Sequence, residues 1–355
     1  MMPDLFSPIQ LGDLTLNNRI LMAPLTRNRA PEGIPTPLME KYYRQRASSG
    51  LIISEGSQIS PQAVGYPATP GIYSDAQAKG WQAVTDAVHD TGGRIYCQLW
   101  HCGRVSHPSY HDGALPVAPS AIRPDGQAFT LEGLQDFVMP RALEVAEIKD
   151  IVDQYVLAAA NAIRGGFDGV EIHAANGYLI DQFLRDGSNQ RSDQYGGSIE
   201  NRTRFLLEVT QAVCEEIGAE RVGIRISPVN AFNDMCDSEP QALFDYVATA
   251  LSALKPVYLH VVEVSMVGAD DSSVNMQQLR RCFDGCYIAN GGYDKARGNQ
   301  VLASYADMVA YGVPFLANPD LPARFLVDAE LNAPDMDTFY GGDEKGYSDY
   351  PVMDI

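Results

Sequence analysis

Residues 148–173, IKDIVDQYVLAAANAIRGGFDGVEIH, contain the unit that decides the fold. Apolar residues recur at helical spacing over residues 148–164, and the pair Gly165-Gly166 that follows is typical of a helix end. Residues 169–173 then form a short apolar run, which is typical of a buried strand. A helix followed by a buried strand is the repeating element of α/β folds with a parallel sheet.

The same alternation extends in both directions along the chain. Strands are predicted at residues 20–23, 51–55, 94–99, 169–173, 222–226, 258–263, 286–290 and 306–311, and helices at residues 81–89, 148–164, 201–217 and 241–254. Eight strands joined by helical segments predict one α/β domain over residues 1–355, a (β/α)8 TIM barrel. Two additions are expected: an N-terminal hairpin around Gly12-Asp13 that plugs the barrel, and a Pro/Gly/Ser-rich insertion after the third strand, from residue 103 to about 141.

Composition excludes several classes of function. With 45 acidic and 26 basic residues the formal net charge is −19, which disfavours binding to nucleic acid or to an anionic membrane. The six cysteines include no C-x-x-C pair, so we expect reduced thiols and no metal site. The chain has no run of about 18 apolar residues and does not start like a signal peptide, so a cytoplasmic protein is expected.

Polar residues follow the predicted strands, where barrel enzymes carry their active sites. The clearest case is residues 171–184, EIHAANGYLIDQFL, in which a strand end is followed by His173, Asn176 and Tyr178. Two neutral donors and a phenol around one cavity can hold a carbonyl oxygen, stabilise negative charge that develops on it, and protonate a carbon. A lone histidine at a strand end is more often structural, but the three residues together favour catalysis.

A phosphate site is expected at the ends of the last two strands. The chain contains neither a G-x-G-x-x-G motif after a strand nor a P-loop, which leaves the barrel-type site formed by backbone N–H groups after the seventh and eighth strands. Gly291, Gly292 and Gly312 lie at those positions. From the residues alone, these glycines serve equally well as turn formers.

Several further motifs show that the chain resembles the Old Yellow Enzyme family. Besides residues 171–184, these are residues 189–202 (NQRSDQYGGSIENR), 18–27 (NRILMAPLTR), 98–101 (QLWH), 317–321 (ANPDL), 340–342 (YGG) and 346–351 (GYSDYP). They span nearly the whole chain in the family's order. Thr26 and the pair His173 and Asn176 resemble the classical branch of the family, which includes NADPH dehydrogenases, 12-oxophytodienoate reductases and N-ethylmaleimide reductases.

The resemblance implies an ene-reductase with non-covalent FMN and with NADPH or NADH as reductant. His173 and Asn176 are then expected to bind the carbonyl or nitro oxygen of an activated alkene, or a phenolic ligand, and Tyr178 to protonate Cα after the flavin delivers hydride to Cβ. The residues expected to bind the cofactor are Pro24, Thr26, Gly56, Gln98, Arg225, Gly291, Gly292 and Gly312. Those expected to line the substrate cavity with His173 and Asn176 are Tyr66, Trp100 and Tyr340.

One position departs from the family pattern. The eighth strand usually ends in Gly-Arg, whose guanidinium binds the FMN phosphate, whereas this chain has Gly312-Val313. Either backbone donors or another cation must then hold the phosphate. The alternative reading is a flavin-binding barrel with impaired catalysis, and the physiological substrate, the choice between NADPH and NADH, and a monomeric or homodimeric state are left open.

Overall fold

The structure is a computed structural model that describes residues 3–267 and 273–353. The strands within these ranges are β1 (Ile9–Leu11), β2 (Leu14–Leu16), β3 (Ile20–Met22), β4 (Leu51–Ile53), β5 (Ser57–Gln58), β6 (Ile95–Trp100), β7 (Val117–Ala118), β8 (Gln127–Thr130), β9 (Gly133–Asp136), β10 (Arg141–Ala142), β11 (Gly169–Ala174), β12 (Val222–Ile226), β13 (Tyr258–Val262), β14 (Cys286–Asn290) and β15 (Met308–Tyr311). The α-helices are α1 (Pro37–Gln45), α2 (Asp75–His89), α3 (Val145–Arg164), α4 (Leu179–Leu184), α5 (Ile199–Ile217), α6 (Pro240–Leu254), α7 (Met276–Arg281), α8 (Lys295–Leu302), α9 (Val313–Ala317) and α10 (Leu321–Leu326).

Eight parallel strands close into a barrel, as predicted. The order around the barrel is β3, β4, β6, β11, β12, β13, β14 and β15, and β15 pairs with β3 to complete the circle. The short strand β5 pairs with the end of β6 outside this circle. All eight barrel strands coincide with the predicted strands to within two residues at each end.

The helix ends follow from local sequence signals. Helix α5 begins after Ser198, whose hydroxyl accepts a hydrogen bond from the backbone N–H of Asn201, and ends at Gly218, which has φ +90°. The predicted start of α2 at residue 81 was wrong, because the helix begins at Asp75. Ser74 and Gln77 form a capping box there, and this signal outweighs the low helix propensity of Gly80.

The barrel interior is apolar at one end and polar at the other. At the amino ends of the strands, Leu11 and Leu16 of the β1–β2 hairpin pack with inward side chains such as Tyr96 and Tyr258. The hairpin therefore plugs this end, as the sequence predicts. Towards the carboxyl ends of the strands, alternate residues of β11 point into the barrel, and these are Glu171 and His173. The intervening residues Val170 and Ile172 point outward and pack in the hydrophobic cluster beneath the helices.

The insertion after the third barrel strand is present and carries a hairpin that the sequence did not predict. Strands β8 and β9 pair antiparallel, and they present Phe129 and Leu134 towards the carboxyl ends of the barrel strands. Both side chains are substantially exposed, at 40% and 64%. In the described part of the chain, no helix has the length and apolar content needed to cross a membrane.

Candidate active site

A cavity of about 900 Å³ opens at the carboxyl ends of the barrel strands. Its size lies in the range of pockets that hold cofactors and small molecules. Thirteen of the fourteen residues expected at the site line this cavity: Pro24, Thr26, Tyr66, Gln98, Trp100, His173, Asn176, Tyr178, Arg225, Gly291, Gly292, Gly312 and Tyr340. The barrel therefore brings together residues that are spread over more than 300 positions of the chain.

Gly56 is the expected site residue that is not part of the cavity lining, because it packs against Trp100. A Cβ atom built on Gly56 would lie 2.4 Å from Cε3 of Trp100, so the glycine makes room for the indole ring. Packing against Trp100 therefore explains why position 56 is a glycine, and contact between Gly56 and a cofactor remains a prediction.

His173 and Asn176 are two buried groups that line the cavity, and both have hydrogen-bonding atoms without a partner from the described residues or directed by one. The Oδ1 atom of Asn176 accepts a hydrogen bond from Asn230 at 2.9 Å, which leaves the Nδ2 donors of Asn176 available to a ligand. Burial, together with the charge of Arg225 and the nearby His260, lowers the pKa of His173 well below 6.5. His173 is therefore neutral at pH 7 and presents one N–H donor and one acceptor.

Tyr178 lies beside this pair and forms part of an aromatic wall. Its ring packs edge-on against Trp100 and His173, with centroids 4.9 Å and 5.2 Å apart, and its hydroxyl lies 3.1 Å from that of Tyr66. Burial and the neighbouring Tyr66 raise the pKa of Tyr178 well above 10, so the residue is a protonated phenol at neutral pH. Tyr340 differs from the other wall residues because it is 64% exposed, at the rim of the cavity.

The cavity floor contains a buried polar network that sequence reasoning missed. Glu171 accepts hydrogen bonds from Gln98 Nε2 at 2.8 Å and from the hydroxyl of Tyr258 at 3.2 Å, and its carboxylate lies 2.8 Å from Nδ1 of His260. Because a carboxylate can only accept hydrogen bonds, Glu171 binds the Nε2 end of the Gln98 amide. The Oε1 atom of Gln98 is then left as an acceptor for a ligand in the cavity. The alternation of inward residues could have indicated Glu171, which lies two positions before His173.

Charge balance in this floor is kept by Glu171 and Arg225. Burial acts to raise the pKa of Glu171, but His260 and Arg225 outweigh it and the pKa is lowered. Arg225 donates to Asn290 Oδ1 at 2.9 Å, while its buried Nε has no partner in the described structure. A buried cation with an unused donor, next to the acceptor of Gln98, fits the N1/O2 and N3 edge of a flavin ring.

The opposite end of the cavity is formed by glycine-rich backbone after β14 and β15. Gly292 has φ +64°, and a Cβ atom built there would meet no atom within 4 Å. A Cβ on Gly312 would contact only Leu25, at 3.5 Å. This open space beside backbone N–H groups suits a phosphate, so the residues present fit FMN from the ring edge to the phosphate.

Comparisons with known proteins agree with this geometry. Residues 4–332 match the family model described as NADH:flavin oxidoreductase / NADH oxidase family. The chain is 46% identical over 358 residues to the putative 12-oxophytodienoate reductase 11 of Oryza sativa subsp. japonica, an alignment that covers 98% of this chain and 97% of the rice protein. It is also 46% identical to the rice 12-oxophytodienoate reductase 1, over 99% of this chain and 93% of that protein.

Two solved structures have nearly the same fold. Morphinone reductase is 51% identical, with a TM-score of 0.96, over 100% of this chain and 97% of that protein. A homologue of Old Yellow Enzyme from Zymomonas mobilis is 44% identical, also with a TM-score of 0.96, over 99% of this chain and 100% of that one. Morphinone reductase has also been solved in complex with tetrahydroNAD.

Proposed function

The chain belongs to the NADH:flavin oxidoreductase / NADH oxidase family and is an FMN-dependent ene-reductase of the Old Yellow Enzyme family, and on this premise we propose which residues carry the reaction. The observation that carries the proposal is the convergence of His173, Asn176 and the phenol of Tyr178 above a floor that contains Gln98 and Arg225. All three catalytic candidates line one cavity, His173 is neutral and Tyr178 is a protonated phenol. The alternative function, a flavin-binding barrel with impaired catalysis, therefore gains no support.

The floor and the adjacent strand end would hold the flavin ring. Gln98 would present Oε1 as an acceptor for the ring's imide N–H, and the guanidinium of Arg225 would stabilise negative charge at the N1/O2 edge. Thr26 would supply a hydroxyl for O4, and Pro24 and Gly56 would border the ring. When bound, FMN would supply the hydride that it receives from NAD(P)H. Gly291, Gly292 and Gly312 would border the phosphate.

His173 and Asn176 bind the substrate oxygen and thereby activate the alkene. Their N–H groups donate to the carbonyl or nitro oxygen, which becomes more negative as hydride reaches Cβ. Because Asn230 holds the amide of Asn176, the donors of Asn176 are oriented before the substrate arrives. The same donors explain an expected affinity for phenolates.

Tyr178 delivers the proton. A phenol whose pKa is raised by burial stays protonated until the substrate carbon becomes basic, and the transfer to Cα then leaves a phenolate that the Tyr66 hydroxyl can stabilise at 3.1 Å. Trp100, Tyr66 and Tyr340 border the substrate, which is an α,β-unsaturated carbonyl or nitro compound. Relatives named after oxophytodienoate and morphinone support a cyclic enone as substrate.

We also propose that the enzyme uses NADH at least as well as NADPH. The two arginines that line the described part of the cavity, Arg27 and Arg225, are buried, so neither offers its charge to a 2′-phosphate that stays outside the cavity. The net charge of −19 opposes the additional negative charge of NADPH.

All six cysteines are free thiols, which is typical of a reducing compartment and supports a cytoplasmic location.

Anaerobic stopped-flow spectroscopy of the purified protein tests the assignment. A yellow protein that NADH or NADPH bleaches, and that an enone then reoxidises with ping-pong kinetics, is the expected result, since nicotinamide and enone use one cavity. A protein that stays colourless after incubation with FMN, or that shows sequential kinetics, contradicts the proposal.

A further inference from the structure

The phosphate end of the cavity lacks an arginine where the family usually has one. Val313 lines the cavity directly after Gly312, and 46% of the residue is exposed. Its isopropyl group provides neither charge nor a donor. A phosphate at this end therefore requires a cation from another segment, or it is held by backbone N–H groups alone.

Arg297 is a cation beside Gly292, one of the glycines expected to border the phosphate. Its Nη1 donates to the backbone carbonyl of Gly292 at 3.0 Å, and its guanidinium carbon lies 5.2 Å from the ring centroid of Tyr293. Gly292 and Tyr293 both line the cavity. These two contacts hold the guanidinium against two residues of the cavity lining, although Arg297 is not itself part of that lining.

The guanidinium of Arg297 also has unused binding capacity. Among the described residues, no carboxylate lies within 4.0 Å of it, and one hydrogen bond to Gly292 occupies one of its five N–H donors. The neighbouring Asp294 accepts from the backbone N–H of Arg297 as a helix cap. By contrast Lys295, two residues earlier, is paired with Asp328 at 2.6 Å.

We propose that Arg297 binds the phosphate group of FMN and replaces the arginine that is absent at position 313. An arginine presents a planar fork of donors that matches phosphate geometry, and it stays charged at all physiological pH values. Gly292 has φ +64°, which glycine adopts at no steric cost, and the missing side chain would let a phosphate approach the backbone closely. The inference rests on the proposed function, because it presumes that FMN occupies this cavity.

The test compares two ligands that differ only in the phosphate. Apoprotein is titrated with FMN and with riboflavin, for the parent, for Arg297→Gln and for the control Lys295→Gln. Glutamine can keep the hydrogen bond to Gly292 but removes the charge. Arg297→Gln should weaken FMN binding about 10-fold and leave riboflavin affinity unchanged, and it should lower the salt dependence of FMN binding. Lys295→Gln should change neither affinity.

A combined variant gives a second measurement. Val313→Arg in the Arg297→Gln background should recover most of the lost FMN affinity, since it restores a cation on the other side of the phosphate. Equal weakening of FMN and riboflavin by Arg297→Gln would assign the residue a structural role and overturn the inference, as would unchanged FMN affinity. If the parent apoprotein binds neither ligand, the proposed function itself fails, and this outcome is distinct from the other two.

Discussion

Ionisation of Glu55 should lower the free energy of unfolding as the pH rises from about 4.5 to about 7, and replacing Glu55 with glutamine should abolish this decrease. Glu55 is buried at the end of the second barrel strand, where one carboxylate oxygen accepts from Tyr43 at 3.2 Å and the other from the backbone N–H of Arg27 at 3.5 Å. Burial raises the pKa of Glu55 to about 7, although these two hydrogen bonds and the charges of Arg27 and Arg29 act in the opposite direction.

The size and sign of the effect follow from linkage between proton binding and folding. The folded protein binds the Glu55 proton more tightly than the unfolded chain, in which the pKa is near 4.5. The stability that comes from keeping Glu55 protonated is fully present below pH 4.5 and is lost as the pH rises through about 7. The total loss in the free energy of unfolding is roughly 3 kcal/mol, at 1.36 kcal/mol per pKa unit. Glutamine resembles the protonated acid and does not ionise, so Glu55→Gln should avoid this loss.

Thermal unfolding of both proteins, each with saturating FMN, measures the difference. Between pH 4.5 and pH 8 the melting temperature of Glu55→Gln should rise relative to that of the parent by about 4 °C, given an unfolding entropy of roughly 2.1 cal/mol/K per residue. Glu216→Gln on the exposed face of α5 is the matched control and should show no such trend. A constant difference between Glu55→Gln and the parent across this pH range would refute the argument that burial dominates at Glu55.

Four further outcomes are expected. Tyr178→Phe should leave flavin reduction by nicotinamide nearly unchanged and slow enone reduction by ~10²–10⁴-fold, and equal slowing of both half-reactions in stopped-flow experiments would contradict its role as proton donor. Phenols should bind as phenolates with a long-wavelength charge-transfer band, and a combined His173→Ala and Asn176→Ala variant that binds them as tightly as the parent would show that the anion site lies elsewhere. Val313→Arg alone should tighten FMN binding by roughly 10-fold, towards the low end of charge-assisted bonds because the site is partly solvated. An unchanged dissociation constant would mean that the side chain points away from the phosphate or that another cation, such as Arg297, already fills the role. Steady-state kinetics should give a kcat/KM for NADH at least equal to that for NADPH, and a clear preference for NADPH would reveal a 2′-phosphate site outside the described lining.

Local patterns in the sequence predicted the barrel and the residues that follow its strands, whereas the other residues expected in the cavity came from the resemblance to the Old Yellow Enzyme family. Strand positions could be recognised because a barrel strand such as residues 222–226 is a short apolar run, and helix ends because residues such as Ser198 and Gly218 form caps with their immediate neighbours. His173, Asn176 and Tyr178 could be assigned together because they lie within six residues of one another at a strand end.

Only the tertiary structure decided which distant residues meet. Glu171 contacts Gln98 and His260 across 73 and 89 positions. Such contacts depend on the register in which the strands close the barrel, and no local pattern encodes that register residue by residue. The sequence by itself therefore determined the elements and the chemistry of their ends, whereas closure of the barrel decided how Gln98 is oriented, because its partner Glu171 lies on a different strand.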